Sequence, residues 1–217
     1  MIKRNVIVLS IYTTLCFASQ EPLQVPPGGI SVENAPMFIS LGFDDNSHSG
    51  MAKSTSSTGG IKWVVDFSKK LKNPAGTGQA ETFDDSPVLC SFYSNSYYME
   101  PYNGDYSGLV KWSTNYAYRE GHEIGNHTRS HITAGNGPVL SVDAWENEMQ
   151  QCHDMFIKPA PAIEDSQSIA DDPSAGAGID PDDIVGFRSP YLRYGDATFT
   201  AIKNQGMLYD CSIEEGL

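Results

Sequence analysis

The stretch Gly121–His131 reads G-H-E-I-G-N-H-T-R-S-H and joins a predicted short strand, His122–Gly125, to the histidines His127 and His131. On one helical turn, side chains four positions apart share a face, so two imidazoles at this spacing can bind one metal ion. The same pair also fits two polar surface residues near the start of a helix. Residues elsewhere in the chain decide between these interpretations.

Apolar runs alternate with helical patterns on both sides of this stretch. We predict strands over Met37–Phe43, Val88–Tyr93, His122–Gly125, Ile184–Phe187 and Met207–Tyr209. We predict helices over Ile61–Leu71, Tyr106–Arg119, Ser141–Ile157 and Asp196–Asn204. Ser141 is the expected N-cap of its helix, and the nearly continuous apolar run Met37–Phe43 predicts a strand buried on both faces. Such alternation indicates right-handed βαβ units around a parallel sheet, hence an α/β fold.

Composition and the N-terminus limit the function further. The chain has 217 residues and a net charge of −13, which suits one domain and excludes a basic surface for nucleic acid. Lys3 and Arg4 precede an apolar run, Val6–Phe17, and small residues follow it. We therefore predict a signal peptide over 1–19, a linker over 20–35 rich in proline and glycine, and one folded domain over 36–217. The protein is expected to be secreted or periplasmic, with no membrane span.

Three cysteines remain after the predicted signal peptide. Cys90 lies in an apolar run and is expected in the core, whereas Cys152 and Cys211 lie in more polar surroundings and are the expected disulfide. The segment Lys158–Asp183 is rich in proline, glycine and aspartate. We interpret it as a solvated surface loop, with a calcium site as the alternative.

Chemistry-bearing residues follow three of the predicted strands. Asp44 and Asp45 follow the first, His127 and His131 the third, and Arg188 the fourth. Because ligands bind at the carboxyl ends of parallel strands, these side chains are expected on one rim. Two histidines and one carboxylate leave coordination positions open, as in catalytic metal sites, and the second carboxylate can act as general base. Taken alone, an Asp-Asp-Asn sequence after a strand is also good turn chemistry.

A second acidic pair competes with the first. Thr82–Asp85 reads T-F-D-D, but it precedes the predicted strand Val88–Tyr93 and is expected at the opposite rim. We therefore place the site at Asp44 and Asp45. His122 is interpreted as structural. Aromatic residues nearby are expected mainly in the core, with a ligand-stacking wall as the alternative: Tyr97, Tyr98, Tyr102 and Trp112.

Together these motifs resemble those of the polysaccharide deacetylases, the NodB-homology group of carbohydrate esterase family four. Phe43-Asp44-Asp45 is similar to the family's T-F-D-D, with Gly42 in place of the threonine. His127-Thr128-Arg129-Ser130-His131 matches H-[ST]-x-x-H, and Arg188-Ser189-Pro190-Tyr191 matches R-x-[AS]-P-[YF]. The resemblance implies a distorted (β/α) barrel of the NodB-homology type, incomplete in this chain.

The resemblance also implies a role for each matched residue. Asp44 would be the general base and Arg188 would pair with it and hold it ionised. The metal ligands would be Asp45, His127 and His131, with Zn²⁺ the expected ion, and the backbone N–H of Tyr191 would help bind the oxyanion.

The implied reaction is metal-dependent hydrolysis of acetyl groups on a polysaccharide, with release of acetate. The segment Phe187–Asp210 looks most like the chitin-deacetylase branch, so chitin or chito-oligosaccharide is favoured over peptidoglycan and acetyl-xylan. A secreted, non-catalytic carbohydrate-binding protein on the same scaffold is the alternative of another class. The family's general acid, a histidine in a Leu-x-His motif, has no match after Tyr191. We expect it beyond Leu217, in a longer protein of which this chain is the N-terminal part.

Overall fold

The structure is a computed structural model that describes residues 31, 39–45, 60–76, 83–101, 105–132, 140–161 and 172–213. The chain divides into two units, Met1–Phe38 and Ile39–Leu217. Apart from Ser31, every described residue belongs to the second unit. The predicted signal peptide and, except for Ser31, the predicted linker lie outside the described residues.

Five parallel strands form one sheet in the order β1-β2-β3-β4-β5. The strands are β1 (Gly42–Asp44), β2 (Ser91–Ser94), β3 (Glu123–Asn126), β4 (Gly186–Phe187) and β5 (Tyr209–Asp210). The helices are α1 (Gly60–Ser68), α2 (Asp105–Arg119), α3 (Val142–Ile157) and α4 (Asp196–Asn204). Short 3₁₀ turns cover Ser96–Met99, Pro181–Asp183 and Pro190–Leu192.

The strand order confirms the predicted fold class. Each strand pairs in parallel with the strand that follows it in the sequence, which is the order of a (β/α) barrel. In the described part of the chain the sheet is open, with β1 and β5 at its edges, so the barrel is incomplete as expected. None of the described helices has the length and apolar character needed to cross a bilayer.

The hydrophobic core lies between the helices and one face of the sheet. Phe92 of β2 and Ile124 of β3 pack with residues of α1, α2 and α3, and Phe187 of β4 packs with residues of α3 and α4. Because side chains alternate along a strand, the neighbours of these residues point to the other face. We call that second face the inner face. It carries Gly42, Asp44, Ser91, Tyr93, Glu123, Gly125, Gly186 and Tyr209.

The structure corrects the prediction that the first strand is buried on both faces. Only Gly42–Asp44 of the described residues form β1, and Phe43 is 39% exposed. Ile39, just before the strand, is 72% exposed. The physical reason is position: among the described residues, β1 lies at the edge of the sheet and pairs with β2 on one side. A run of apolar residues is expected for a central strand and does not by itself exclude an edge.

The interpretation of Lys158–Asp183 as a solvated loop is wrong for residues 175–179, whereas residues 172–174 and 180–183 are exposed as expected. Ala175, Ala177 and Ile179 are buried, and Ala177 and Ile179 belong to the core around Phe92. Backbone hydrogen bonds tie this part to the end of α3, including one from the Ile179 N–H to the Phe156 carbonyl (3.0 Å). The alternating small and apolar residues were the signal of burial within an otherwise polar segment.

The predicted disulfide between Cys152 and Cys211 is also wrong. Cys90, Cys152 and Cys211 are all free thiols, and Cys90 is buried as expected. Cys152 lies on the buried side of α3, where burial raises the pKa of its thiol to about 12. Its Sγ contacts the Ser94 carbonyl, whereas the Cys211 Sγ contacts the Tyr93 hydroxyl on the inner face. The polar neighbours of Cys152 in the sequence belong to the exposed side of the helix.

Candidate metal centre

The predicted site residues lie side by side at the carboxyl ends of the strands. Each strand end hydrogen-bonds to its neighbour: the N–H groups of Asp45, His127 and Arg188 donate to the carbonyls of Tyr93, Ser94 and Asn126 at 3.1 Å. The register therefore brings the residue after β1 level with the ends of β3 and β4. Residues far apart in the sequence share one rim because the strands are parallel and sequentially ordered.

Three of these residues form a cluster of potential metal ligands. One donor atom each from Asp45, His127 and His131 lies within 4.8 Å of the other two. The Asp45 Oδ1 atom is 3.3 Å from His131 Nε2 and 3.9 Å from His127 Nε2. Two ligands on one tetrahedral zinc ion lie about 3.3 Å apart, so the set needs only small adjustments. Asp45 is half exposed, which leaves one side of the cluster open.

His127 is held so that one nitrogen faces the cluster. Its Nδ1–H donates to the Arg188 carbonyl at 2.7 Å, because a carbonyl oxygen can only accept. This bond fixes the tautomer and leaves the Nε2 lone pair free for a metal ion. Burial also lowers the pKa of His127 below its ordinary value, because the charged imidazolium would lose its hydration. A neutral imidazole is the form that binds metal.

His131 reaches the cluster from an irregular loop, although the spacing suggested a helical turn. Thr128 and His131 both have positive φ angles (68° and 53°), and the two histidine rings lie 5.0 Å apart. Buried Glu148 of α3 supports the loop by accepting hydrogen bonds from the Ser130 N–H (2.8 Å) and Ser130 Oγ. The carbonyl of Glu148 also accepts from the Arg129 N–H at 3.1 Å.

Two further contacts at the rim were missed from the sequence. The Asn95 amide donates to Asp45 Oδ1 at 3.1 Å, and Asn95 directly follows β2. The rule that placed the other site residues at strand ends also applies to Asn95. Glu100 accepts two hydrogen bonds from the Arg129 guanidinium, at 2.6 and 2.9 Å. Glu100 carries no comparable signal, since it lies in an irregular segment after Ser96–Met99.

Asp44 pairs with Arg188 beside the cluster. The Arg188 Nη1 donates to Asp44 Oδ1 at 2.8 Å, and its Nε donates to the Cys211 carbonyl at 3.3 Å. Burial opposes the charge of the guanidinium, but the hydrogen bond and charge of Asp44 outweigh it, and the pKa of Arg188 is raised. Asp44 thus faces a permanent positive charge while its neighbour Asp45 faces the histidines.

Tyr191 lies at the mouth of the cluster. It has a φ of 55° within the 3₁₀ turn Pro190–Leu192, an uncommon conformation for a residue other than glycine. Its ring stands edge-on to His131 with centroids 4.5 Å apart, and its side chain is 63% exposed. The turn therefore brings the Tyr191 residue next to a candidate ligand.

The competing pair Asp84-Asp85 is not part of this cluster. It lies in a turn before β2, where the Ser86 N–H donates to the Phe83 carbonyl at 3.0 Å. His122 is also outside it, as expected: it is buried, and burial lowers its pKa. Of the aromatic residues, Trp112 is buried and Tyr98 packs against the core, whereas Tyr97 is 42% exposed and Tyr102 lies outside the described residues.

No family model matches the chain. Over 200 residues it is 26% identical to Chitin deacetylase 1 of Bombyx mori, a match that covers 91% of this chain. The chain is therefore similar in sequence to a chitin deacetylase. It spans 29% of the length of the silkworm protein.

Solved structures of polysaccharide deacetylases and related proteins also match. The chitin deacetylase of Colletotrichum lindemuthianum is 14% identical with a TM-score of 0.46, over 79% of this chain and 54% of that one. The peptidoglycan deacetylase PdaC of Bacillus subtilis is 17% identical with a TM-score of 0.43, over 77% and 55%. A family 4 pseudoenzyme of Bacillus anthracis is 12% identical with a TM-score of 0.43, over 80% and 45%. The account of the fold rests on the observed strand order.

Proposed function

We propose that this chain carries the metal centre and the general base of a metal-dependent polysaccharide deacetylase. Such an enzyme is a hydrolase that acts on carbon–nitrogen bonds other than peptide bonds. The observation that carries the proposal is the cluster of Asp45, His127 and His131 beside the ion pair of Asp44 with Arg188. A site that only bound sugar would need neither an open set of ligands nor a paired carboxylate.

The donor set fits a zinc ion. One carboxylate oxygen and two imidazole nitrogens are common zinc ligands, and three protein ligands leave a position open for catalysis. Asp45, His127 and His131 would hold the ion, with the His127 tautomer fixed by the Arg188 carbonyl. A bound zinc ion would supply Lewis acidity to the acetyl carbonyl and lower the pKa of water at the site.

The residues around the cluster then divide the remaining work. Asp44 would take a proton from the attacking water, and its bond to Arg188 (2.8 Å) would orient its carboxylate. The backbone N–H of Tyr191 would help to stabilise the oxyanion of the tetrahedral intermediate. Asn95 would hold Asp45 in place through its amide, which donates to Oδ1.

The substrate we favour is chitin or a chito-oligosaccharide, from which the enzyme would release acetate. Support comes from the likeness to the silkworm protein, which is named a chitin deacetylase, and from the segment Phe187–Asp210. Peptidoglycan and acetyl-xylan are the alternative polymers. The predicted signal peptide over 1–19 supports export of the protein to a compartment where such polymers occur.

A second candidate function is a secreted protein that binds carbohydrate without catalysis. The likeness to a family 4 pseudoenzyme is the observation that raises it. The complete set of Asp44, Asp45, His127, His131 and Arg188 argues against it, because loss of catalysis removes the need for a base and its arginine.

The decisive experiment measures acetate release from N-acetylated chito-oligosaccharides by the zinc-loaded full-length protein. Asp44→Asn should lower kcat by at least about 100-fold, because a general base typically contributes that much or more, while zinc content stays unchanged. Asp85→Asn is the matched control, since it changes an exposed carboxylate outside the cluster. Unchanged turnover in Asp44→Asn would refute its role as base. Retention on chitin that survives chelation, with no acetate released, would instead support the binding protein.

A further inference from the structure

A hydrogen-bond network crosses the inner face of the sheet below the metal centre. The Tyr209 hydroxyl donates to Oε1 of Glu123. The second oxygen of the same carboxylate, Oε2, accepts from Ser91 Oγ at 2.6 Å. The Tyr93 hydroxyl lies 3.1 Å from the Tyr209 hydroxyl and 2.8 Å from Cys211 Sγ. None of these four contacts involves a residue of the candidate metal cluster.

The hydrogen bonds of this network can run in only one direction. A carboxylate accepts, so the single proton of Tyr209 points to Glu123, and Tyr209 must accept from Tyr93. The single proton of the Tyr93 hydroxyl is donated to Tyr209, so the Tyr93 oxygen accepts a hydrogen bond from the thiol of Cys211. Glu123 on β3 thus anchors Tyr209 on β5, which in turn anchors the Tyr93 ring on β2. The ring of Tyr93 is held at its hydroxyl end in a fixed position.

The face of the anchored ring contacts Arg188. The guanidinium carbon of Arg188 lies 4.5 Å from the centroid of the Tyr93 ring, within the range of a cation–π contact. The same guanidinium donates to Asp44 through Nη1 and to the Cys211 carbonyl through Nε. Tyr93 therefore supports from one side the arginine that orients the proposed base.

Glycines on the neighbouring strands make room for this arrangement. A Cβ atom at Gly125 would lie 2.5 Å from the Tyr93 ring, and one at Gly186 would lie 2.3 Å from the Tyr209 hydroxyl. A Cβ atom at Gly42 would lie 3.1 Å from the Tyr93 ring and 3.3 Å from both terminal nitrogens of Arg188. Gly42 stands where the family's motif has threonine, so this departure matches the space that the ring and the guanidinium fill.

We propose that Tyr93 is a positioning residue that holds the Arg188 guanidinium against Asp44, with Gly42 as the residue that admits its ring. The proposal rests on the proposed function for its effect on turnover, since Arg188 acts through the base. It does not rest on that function for its structural content, which is the order of the Arg188 side chain. These two parts are measured separately.

The first measurement is steady-state deacetylation by the zinc-loaded full-length protein. Tyr93→Leu should lower kcat about 10- to 100-fold with KM within about twofold, because a misoriented base affects chemistry more than substrate binding. Tyr93→Phe keeps the ring and should lose no more than about threefold. Tyr116→Leu is the matched control: it removes a half-buried tyrosine ring that stacks on Trp112 (5.2 Å between centroids), away from Arg188. Unchanged kcat in Tyr93→Leu, or a change confined to KM, would overturn the proposal.

The second measurement is NMR of the arginine side chains, which needs no substrate. The Nε–H signal of Arg188, assigned by its loss in Arg188→Lys, should report a rigid side chain in the wild type and a mobile one in Tyr93→Leu. A signal that stays rigid in Tyr93→Leu overturns the positioning role even if the wild type is inactive. Rigid and Tyr93-dependent behaviour without any acetate release would refute the proposed function and leave the positioning role standing.

A third variant covers the case in which Tyr93→Leu does not fold. Gly42→Val adds bulk at a strand position where valine is well tolerated, directly against the Tyr93 ring and Arg188. It should lower kcat about 10-fold, with zinc content unchanged. Wild-type kcat in a folded Gly42→Val protein would overturn the proposal.

Discussion

The two ends of the parallel sheet hold the same kinds of residue with different surroundings. Phe43-Asp44-Asp45 closes β1 at the carboxyl end, and Phe83-Asp84-Asp85 lies in a turn before β2. His127 follows β3, and His122 precedes the same strand. The two ends of the sheet therefore have nearly the same residue types in nearly the same local sequence. Among the described residues, it is the carboxyl end that gathers such side chains into one cluster.

The histidines show what differs. The Cys90 N–H donates to His122 Nδ1 at 3.0 Å, and His122 Nε2–H donates to Ser68 Oγ (3.3 Å), which itself donates to the Val65 carbonyl. Both ring nitrogens of His122 thus serve the fold. His127 uses Nδ1 for the fold and presents Nε2 to Asp45. His127 thus differs from His122 because the fold uses only one of its ring nitrogens, and the other faces the candidate metal centre.

The largest expected effect tests whether the two acidic pairs are as different as their positions imply. Asp45→Ala should weaken zinc binding by more than about 100-fold, because it removes a proposed ligand and not merely one of the outer contacts that tune a metal site. Asp85→Ala should leave zinc affinity unchanged, since Asp85 is exposed in the turn before β2. Zinc affinity measured by competition with a chelator checks both. Equal losses in the two variants would break the comparison.

An intermediate effect is expected from the support of the histidine loop. Glu148→Gln should weaken zinc binding about 10-fold and lower the free energy of unfolding by about 1–3 kcal/mol, because the Ser130 N–H loses a charged acceptor in a buried place. The matched control is Glu146→Gln on the same helix, where the carboxylate accepts an exposed hydrogen bond from Asn204. Chelator competition and urea unfolding measure the two quantities. Wild-type zinc affinity in Glu148→Gln would mean that the loop needs no such support.

The smallest effect concerns pH and the amino end of the sheet. Burial lowers the pKa of His122 from its ordinary value of 6.5, so the folded protein holds this imidazole neutral. The stabilisation is present above pH 6.5 and is lost as the pH falls through the lowered pKa, because the unfolded chain takes up the proton first. Protonation of His122 would also place a hydrogen on Nδ1, where it would repel the Cys90 N–H that donates to this atom. The stability advantage of wild type over His122→Gln should therefore shrink on acidification.

Urea unfolding of both proteins between neutral and mildly acidic pH checks this prediction, and metal-free samples keep ligand binding out of the comparison. A stability difference that stays constant with pH would show that His122 titrates normally. The test sharpens the contrast with His127, whose lowered pKa has the same origin but whose Nε2 atom faces the candidate metal centre.

Much of the fold and most of the proposed site followed from sequence patterns. The helix Asp196–Asn204 has its predicted bounds, and Ser141 caps α3 by accepting from the Ala144 N–H at 3.2 Å. These features depend on local periodicity and capping, which short stretches of sequence encode. The grouping of the proposed site residues at one edge of the sheet was predicted from one topological rule: parallel strands align their carboxyl ends. That rule also favoured Asp44-Asp45 over the better-matched T-F-D-D.

The remainder depends on contacts between distant segments, which local patterns do not specify. The support that Glu148 gives to Ser130 joins α3 to the loop after β3, although an acid beside the apolar stripe of Trp145 and Met149 was a usable signal. The predicted disulfide failed because the polar neighbours of Cys152 lie on the other side of its helix. The exposure of β1 depends on its place at the edge of the sheet, which its own residues do not encode.

The long separation between partners at the candidate metal centre has a consequence for the order of folding. Asp44 and Arg188 are 144 positions apart, so their ion pair closes a very long loop. In a zinc finger, ligands close in sequence let the ion drive folding of the peptide around it. Here β1, β2 and β3 must align before Asp45 reaches His127 and His131, so we expect the ion to bind only after this part of the sheet has formed. Refolding rates of this chain should accordingly be the same with and without zinc, while unfolding is slowed by it.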